Sequence, residues 1–203
     1  MKKYAVLHEP GDIVTLAGTR FVVLDVERRG SLPDSLFLLA LESVGASEFG
    51  SSNNYAESDL KKAVDKWLED MGKRGLDNAK LIPREIDLTT MDGSGCYGKL
   101  SVKAAPLTLD EAREYADIIP NAERWCWLAT GWSGPSKSDG DLALYVHANG
   151  GWNLNICSYS LGVRPALKVP SILFEDSEAG LDLSKVPTDD LLQEIHRRLA
   201  ERA

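Results

Sequence analysis

Cysteine is scarce in this chain, and its three copies, Cys96, Cys126 and Cys157, are odd in number and far apart. No CxxC pair and no Cys/His cluster occurs, which excludes a disulfide framework and a structural zinc site and reads as reduced thiols. Histidine is equally sparse, and His8, His147 and His196 are scattered, so no metal and no cofactor is expected. No Ser/His/Asp grouping, no paired carboxylates in a convincing local context and no metal-ligand spacing can be picked out, which argues against an enzyme. Apolar runs are short. None approaches the roughly 18 residues of a membrane-crossing helix, and the opening Met1 to Pro10 has two lysines but too brief an apolar stretch for a signal peptide. The expectation is a protein made in the cytoplasm without membrane insertion. Basic residues are also in the minority, 23 against 31 acidic, for a net charge of −8. Without a basic patch to displace counterions, nucleic acid is not an expected partner.

What remains is the composition of one packed domain, 43% hydrophobic and 27% charged over 203 residues. Short strands open it: Ile13 to Leu16, a turn at Ala17-Gly18-Thr19, then Arg20 to Glu27 with β-branched and aromatic content. The apolar run Ser35 to Ser43 reads as a central strand. Leu60, Ala63, Val64, Trp67, Leu68 and Met71 follow helical spacing, with Ser58 as N-cap, Gly72 as stop and Trp67 as a core anchor. Ile82 to Leu88 reads as extended. The glycine-rich Met91 to Gly98 lacks the GK[ST] ending of a phosphate cradle and reads as a surface loop. Thr108 and Glu111 form a capping box for a helix carrying Ala112, Tyr115, Ala116 and Ile119 and ending at Pro120.

The densest information lies between Arg124 and Val169, which holds four of the five tryptophans. Leu142 to Ala148 runs into Asn149-Gly150-Gly151, and Trp152 to Ser160 runs back; Asn-Gly is a strong hairpin signal because both residues accept positive φ. On the return strand the period is 2. Leu154, Ile156 and Ser158 are read as the inner face, and Asn153, Asn155, Cys157 and Tyr159 as an outward row. A solvated sheet face is the plain alternative. Two asparagines on one strand face, and the long loop 131–141 with Trp132, tilt the reading toward ligand binding. The candidate ligand-binding residues are Trp132, Ser136, Ser138, Asp139, Tyr145, His147, Asn153, Asn155, Cys157 and Tyr159. Trp125 and Trp127 are expected to straddle a core strand, and Arg164 to pair with a carboxylate near the closing strand.

Residues 175–190 turn acidic and turn-rich, and 188–202 carries the apolar stripe Leu191, Leu192, Ile195 and Leu199. The expected domains are 1–170, an acidic linker 171–187 and a helix 188–203. The helix has three possible resting places: its own domain, a sister subunit or another partner.

Five features in order, GDIVTLAGTRFVVLDV, SNNYAESDLKKAVDKWL, TLDEAREY, RWCWLATGW and GVRPALKV, resemble a bacterial and phage domain family of unassigned function with a C-type-lectin-like fold. The resemblance covers residues 11–169. It implies an α+β fold, short antiparallel sheets with two flanking helices. Residues 124–169 are similar to the variable region of target proteins of diversity-generating retroelements, in which codons are rewritten at adenines and the encoded surface binds changing protein or cell-surface ligands. That implies a noncatalytic binding protein of a phage, prophage or bacterium, with a virion as one destination. A structural tail or fibre-tip component is the second reading. Calcium-dependent sugar binding is not expected, because no Glu-Pro-Asn or Gln-Pro-Asp occurs and Trp152-Asn153 is followed by Leu154. A third reading, a formylglycine-generating-enzyme-like oxidase, would need Cys126 and Cys157 adjacent as a copper-binding pair.

Overall fold

Ala17 and Gly18 both take positive φ, 47° and 75°. Such a two-residue turn matches the twist of the strands it joins, here β1 (Ile13–Leu16) and β2 (Thr19–Arg29), with Leu16 registered on Thr19. The computed structural model describes residues 8–29, 32–135 and 139–174, together with Thr188 and Leu192. The strand expected at 35–43 is β3 (Leu32–Ala40), and it lies at the centre of its sheet. β12 (Ala166–Pro170) pairs with it on one side and β2 on the other, while β7 (Ala104–Ala105) completes the antiparallel order β1-β2-β3-β12-β7.

The second sheet has the order β10 (Trp152–Ile156), β9 (Leu142–Val146), β8 (Cys126–Gly131), β11 (Ser160–Gly162), β4 (Ala46–Glu48). Its pairs are antiparallel except β11 beside β8, which meet at Gly162 and Cys126. That close meeting requires glycine: a Cβ on Gly162 would sit 2.8 Å from Cys126 Sγ. A small ribbon pairs β5 (Arg84–Asp87), within the extended stretch expected at 82–88, with β6 (Lys99–Val102).

The first helix, α1 (Asp59–Lys73), begins as its sequence dictates. Ser58 Oγ accepts a hydrogen bond from the Lys61 N–H at 2.9 Å, and Leu60, Val64, Trp67 and Met71 are buried. Gly72 does not stop it; the helix runs to Lys73, and Gly75, at φ 104°, turns the chain away. The second helix, α2 (Leu109–Glu114), has both capping-box bonds, Glu111 N–H to Thr108 Oγ1 and Thr108 N–H to Glu111 Oε2. It is shorter than its periodicity predicts. After Glu114 the chain proceeds in turns, packing Tyr115, Ile118 and Ile119 against the smaller of two apolar clusters. Glu111 also pairs with the buried Arg84.

Over residues 8–174 as described, the architecture is α+β, two mostly antiparallel five-stranded sheets and a two-stranded ribbon with two α-helices. The larger cluster joins α1 to both sheets through Phe21, Leu38, Phe49, Trp67, Trp127 and Tyr145. The smaller joins Val22, Leu24 and Leu39 of the first sheet to Leu128 and Leu144 of the second, and includes Leu109 of α2. Both sheets therefore bury side chains on both faces. Ser171–Phe174, expected as the start of the linker, form a 3₁₀ turn, with Leu173 and Phe174 packed on the larger cluster. The rest of the linker and the helix expected at 188–202 lie outside the described residues, apart from Thr188 and Leu192.

Candidate recognition surface

Strand β8 is buried at every position, the pattern of a strand covered on both sides. Its neighbours are in register, so side chains sort into two rows. Trp127, Tyr145 and Asn153 stand opposite one another on one face, and Cys126, Val146 and Trp152 on the other. Trp127 is buried and its indole N–H donates to the Ser47 carbonyl at 3.0 Å, whereas Trp125 is 45% exposed. The two tryptophans do not straddle the strand: two positions apart, both meet the Tyr145 ring, and only Trp127 is buried.

The hairpin is present, with a difference at its tip. Only Gly150 of the Asn-Gly pair takes positive φ, 87°, while the Asn149 side chain accepts from the Gly151 N–H. The Gly150 N–H bonds to the His147 carbonyl, closing a three-residue loop with glycine at the left-handed position.

Sequence reasoning expected an outward row at 153, 155, 157 and 159, and the row does not hold. Cys157 is 1% exposed and belongs to the larger cluster. The strand ends at Ile156, and the turn at 157–158 carries Cys157 inward, where its N–H donates to the Asp141 carbonyl and its own carbonyl accepts from Phe49 and Gly50. Ile156, expected inside, is exposed, as is Tyr159 beyond the turn. Tyr145 is likewise buried, in edge contact with Trp127 and stacked on Trp125 with ring centroids 5.2 Å apart. His147 is half-buried and meets the rings of Trp125 and Tyr145 edge-on, each at 5.0 Å.

Asn153 is exposed and Asn155 half-buried, and both have a local task. β10 is an edge strand, paired only with β9. Asn153 Oδ1 accepts from the Leu154 N–H at 2.9 Å, and Asn155 Oδ1 from the Ile156 N–H at 2.8 Å. These amides occupy donors on the open side of the sheet, which would otherwise template another strand. The asparagines that looked like ligand contacts thus blunt an edge.

Trp132 is half-buried, its backbone held between Leu142 and Asp92, and Asp139 is half-buried with its carbonyl accepting from the Leu142 N–H. Ser136 and Ser138 lie outside the described residues. What organises this loop is Asn53, which sequence reasoning missed. It is 1% exposed, its Nδ2 donates to the Ser133 and Leu142 carbonyls at 2.9 Å each, and its Oδ1 accepts from Tyr97 Oη at 2.7 Å. Nothing in SSNNY distinguishes Asn53 from its neighbours; only its long-range partners do.

Of the large apolar side chains exposed here, Tyr159 was expected outward, whereas Trp125, Trp152 and Ile156 were missed. Among the described residues, seven such side chains are exposed, and four of them, Trp125, Trp152, Ile156 and Tyr159, stand in this one stretch. Arg113 lies over the Trp152 ring, 5.3 Å from its centroid.

The two thiols of the oxidase reading are not brought together. Cys126 is registered with Val146 at one end of β9, whereas Cys157 bonds to Asp141 just beyond the other end. Burial pushes the Cys126 thiol up to about 11 and the Cys157 thiol up to about 12, so both stay protonated near neutrality. Among the described residues, no group of three His, Cys, Asp or Glu side chains is placed to hold a metal ion. No protein-family model, curated protein or solved structure matches the chain.

Proposed function

We propose that this chain is a noncatalytic binding protein: a lectin-like scaffold that presents the β9–β10 hairpin and the loop 131–141 to a protein or cell-surface ligand. The observation that carries the proposal is that four of the seven exposed large apolar side chains among the described residues, Trp125, Trp152, Ile156 and Tyr159, fall within residues 125–159, around the second sheet. Exposed aromatic residues grouped in this way are costly to leave in water and are the anchors typical of protein interfaces. The scaffold beneath them is rigid, because β8 is buried throughout and Asn53 ties the loop to the strands. The two helices, the antiparallel sheets and the closing strand β12, reached from Gly162 through Val163-Arg-Pro165, support the lectin-like reading. A phage or prophage origin, with retroelement diversification of the surface, is the fuller form of the proposal.

The test is to sequence the DNA flanking the gene, and the segment encoding residues 124–169 from many cells of one population. The expected outcome is a nearby imperfect copy differing mainly at adenines. Changes should fall at Ser136, Ser138, Asp139, His147, Asn153, Asn155 and Tyr159 and spare the buried Tyr145 and Cys157. A uniform segment with no second copy would sink diversification. Unchanged binding to host surfaces after Trp152→Ala and Tyr159→Ala together would sink the recognition surface itself.

A further inference from the structure

On the face of the second sheet opposite Tyr145, a cavity of about 310 Å³ opens between α2 and strands β8 to β10. Leu109, Leu128 and Val146 give it hydrocarbon walls, and the half-exposed Trp152 and the exposed Arg113 mark its opening. Among the described residues no Asp or Glu lines it, in a chain with an excess of acidic residues.

One wall residue does not fit an apolar space. Arg164 is 6% exposed, and its Nε donates to the Ala40 carbonyl at 2.7 Å and its Nη1 to the Pro120 carbonyl at 3.1 Å. Its Nη2 is buried with no hydrogen-bond partner. Among the described residues, the carboxylate that the sequence led one to expect beside it is absent. The titratable side chain acting on it is the Cys126 thiol, which is protonated and uncharged near neutrality. Two neutral carbonyls orient this guanidinium but do not neutralise it, and a buried cation without a counter-ion is costly.

We propose that the cavity binds a small monocarboxylic acid with an apolar body, its carboxylate on Arg164 Nη2 and its hydrocarbon against Leu109, Leu128 and Val146. The volume lies at the small end of the range for ligand pockets, roughly 300–1,000 Å³. A phosphate or sulfate would need several donors where these walls offer hydrocarbon. A neutral apolar molecule would leave Nη2 unpaired. A carboxylate supplies both the charge and the acceptor through a charge-assisted bond. This inference does not rest on the recognition surface, and its failure would leave that reading intact.

The experiment is calorimetric titration of the full chain with octanoate, with octan-1-ol and methyl octanoate as neutral counterparts. Octanoate should bind at least about tenfold more tightly than either, since the charged bond forms in a dehydrated site. No octanoate binding at millimolar concentration, or equal binding of octan-1-ol, overturns the proposal. Arg164→Met should abolish the preference for the acid; a preserved preference would also overturn it. Should Arg164→Met fail to fold, Ala112→Trp provides a second variant, at a half-buried wall position on α2. It should fold normally and lose octanoate binding, and undiminished binding would place the acid elsewhere and refute the site.

Discussion

Asn53 and the pair Asn153 and Asn155 are the same side chain in opposite surroundings. Asn53 is enclosed, and its amide bridges three segments separated by 44 to 89 residues in sequence. The other two sit at the open edge of β10 and bond to the residue that follows each of them. An amide in water exchanges one good partner for another and gains little, whereas a buried amide with every partner placed is costly to disturb. Exposure rather than residue type therefore decides which asparagine holds the fold. It also cautions against reading asparagines in a strand as ligand contacts.

The largest expected effect comes from breaking the enclosed staple. Asn53→Ala removes three hydrogen bonds and leaves the Ser133 and Leu142 carbonyls without this donor, at a cost on the order of 3 kcal/mol; urea unfolding would measure it. The same staple can be struck from the other side. Gly131 packs so closely on Asn53 that a Cβ would come within 2.8 Å of the Asn53 carbonyl oxygen. Gly131→Ala should cost about 2 kcal/mol, within the usual range for overpacking. If both variants unfold at the wild-type urea concentration, the loop is not held as described.

The thiols sharpen the contrast between edge and interior, because Cys157 directly follows the exposed Ile156. Iodoacetamide should label Cys96 alone in the native protein and all three cysteines after denaturation, read by mass spectrometry. The sign of the pH effect follows from burial. Folded-state values of about 11 and about 12 lie above the ordinary 9.0, so the unfolded chain loses these protons first. The contribution of the neutral thiols is complete below pH 9.0 and is lost as pH rises through the folded values. Rapid native labelling of Cys157 near pH 7 would show that the turn at 157–158 does not carry it inward.

The smallest effect belongs to the edge. Asn153→Ala and Asn155→Ala should each change stability by less than about 0.5 kcal/mol, as surface substitutions do. Together they should raise self-association at high concentration, since the Leu154 and Ile156 N–H groups become available to another strand. Light scattering reads this directly, and unchanged association would remove the edge-blunting role.

Much of the fold was legible because its signals are local. The β1–β2 turn, the Ser58 cap, the apolar stripe of α1 and the Thr108–Glu111 box each depend on residues a few positions apart. The extent of α2 was not legible, because Tyr115, Ile118 and Ile119 answer to the smaller cluster rather than to helical spacing. The candidate site was legible only in its hairpin. Strict alternation from 153 to 159 presumed one continuous strand over one core, but the strand stops at Ile156 and both sheet faces are packed.

By itself the sequence determined the mixed helix and strand content, the hairpin and both helix starts, since propensity, capping and turn chemistry act over a handful of neighbouring residues. The tertiary structure alone decided that Asn53 is a staple, that Tyr145 and Cys157 face inward, and that Arg164 lies buried beside a cavity without a carboxylate. Those outcomes depend on which distant segments come to share a dry space, and a pattern of neighbours along the chain does not specify that.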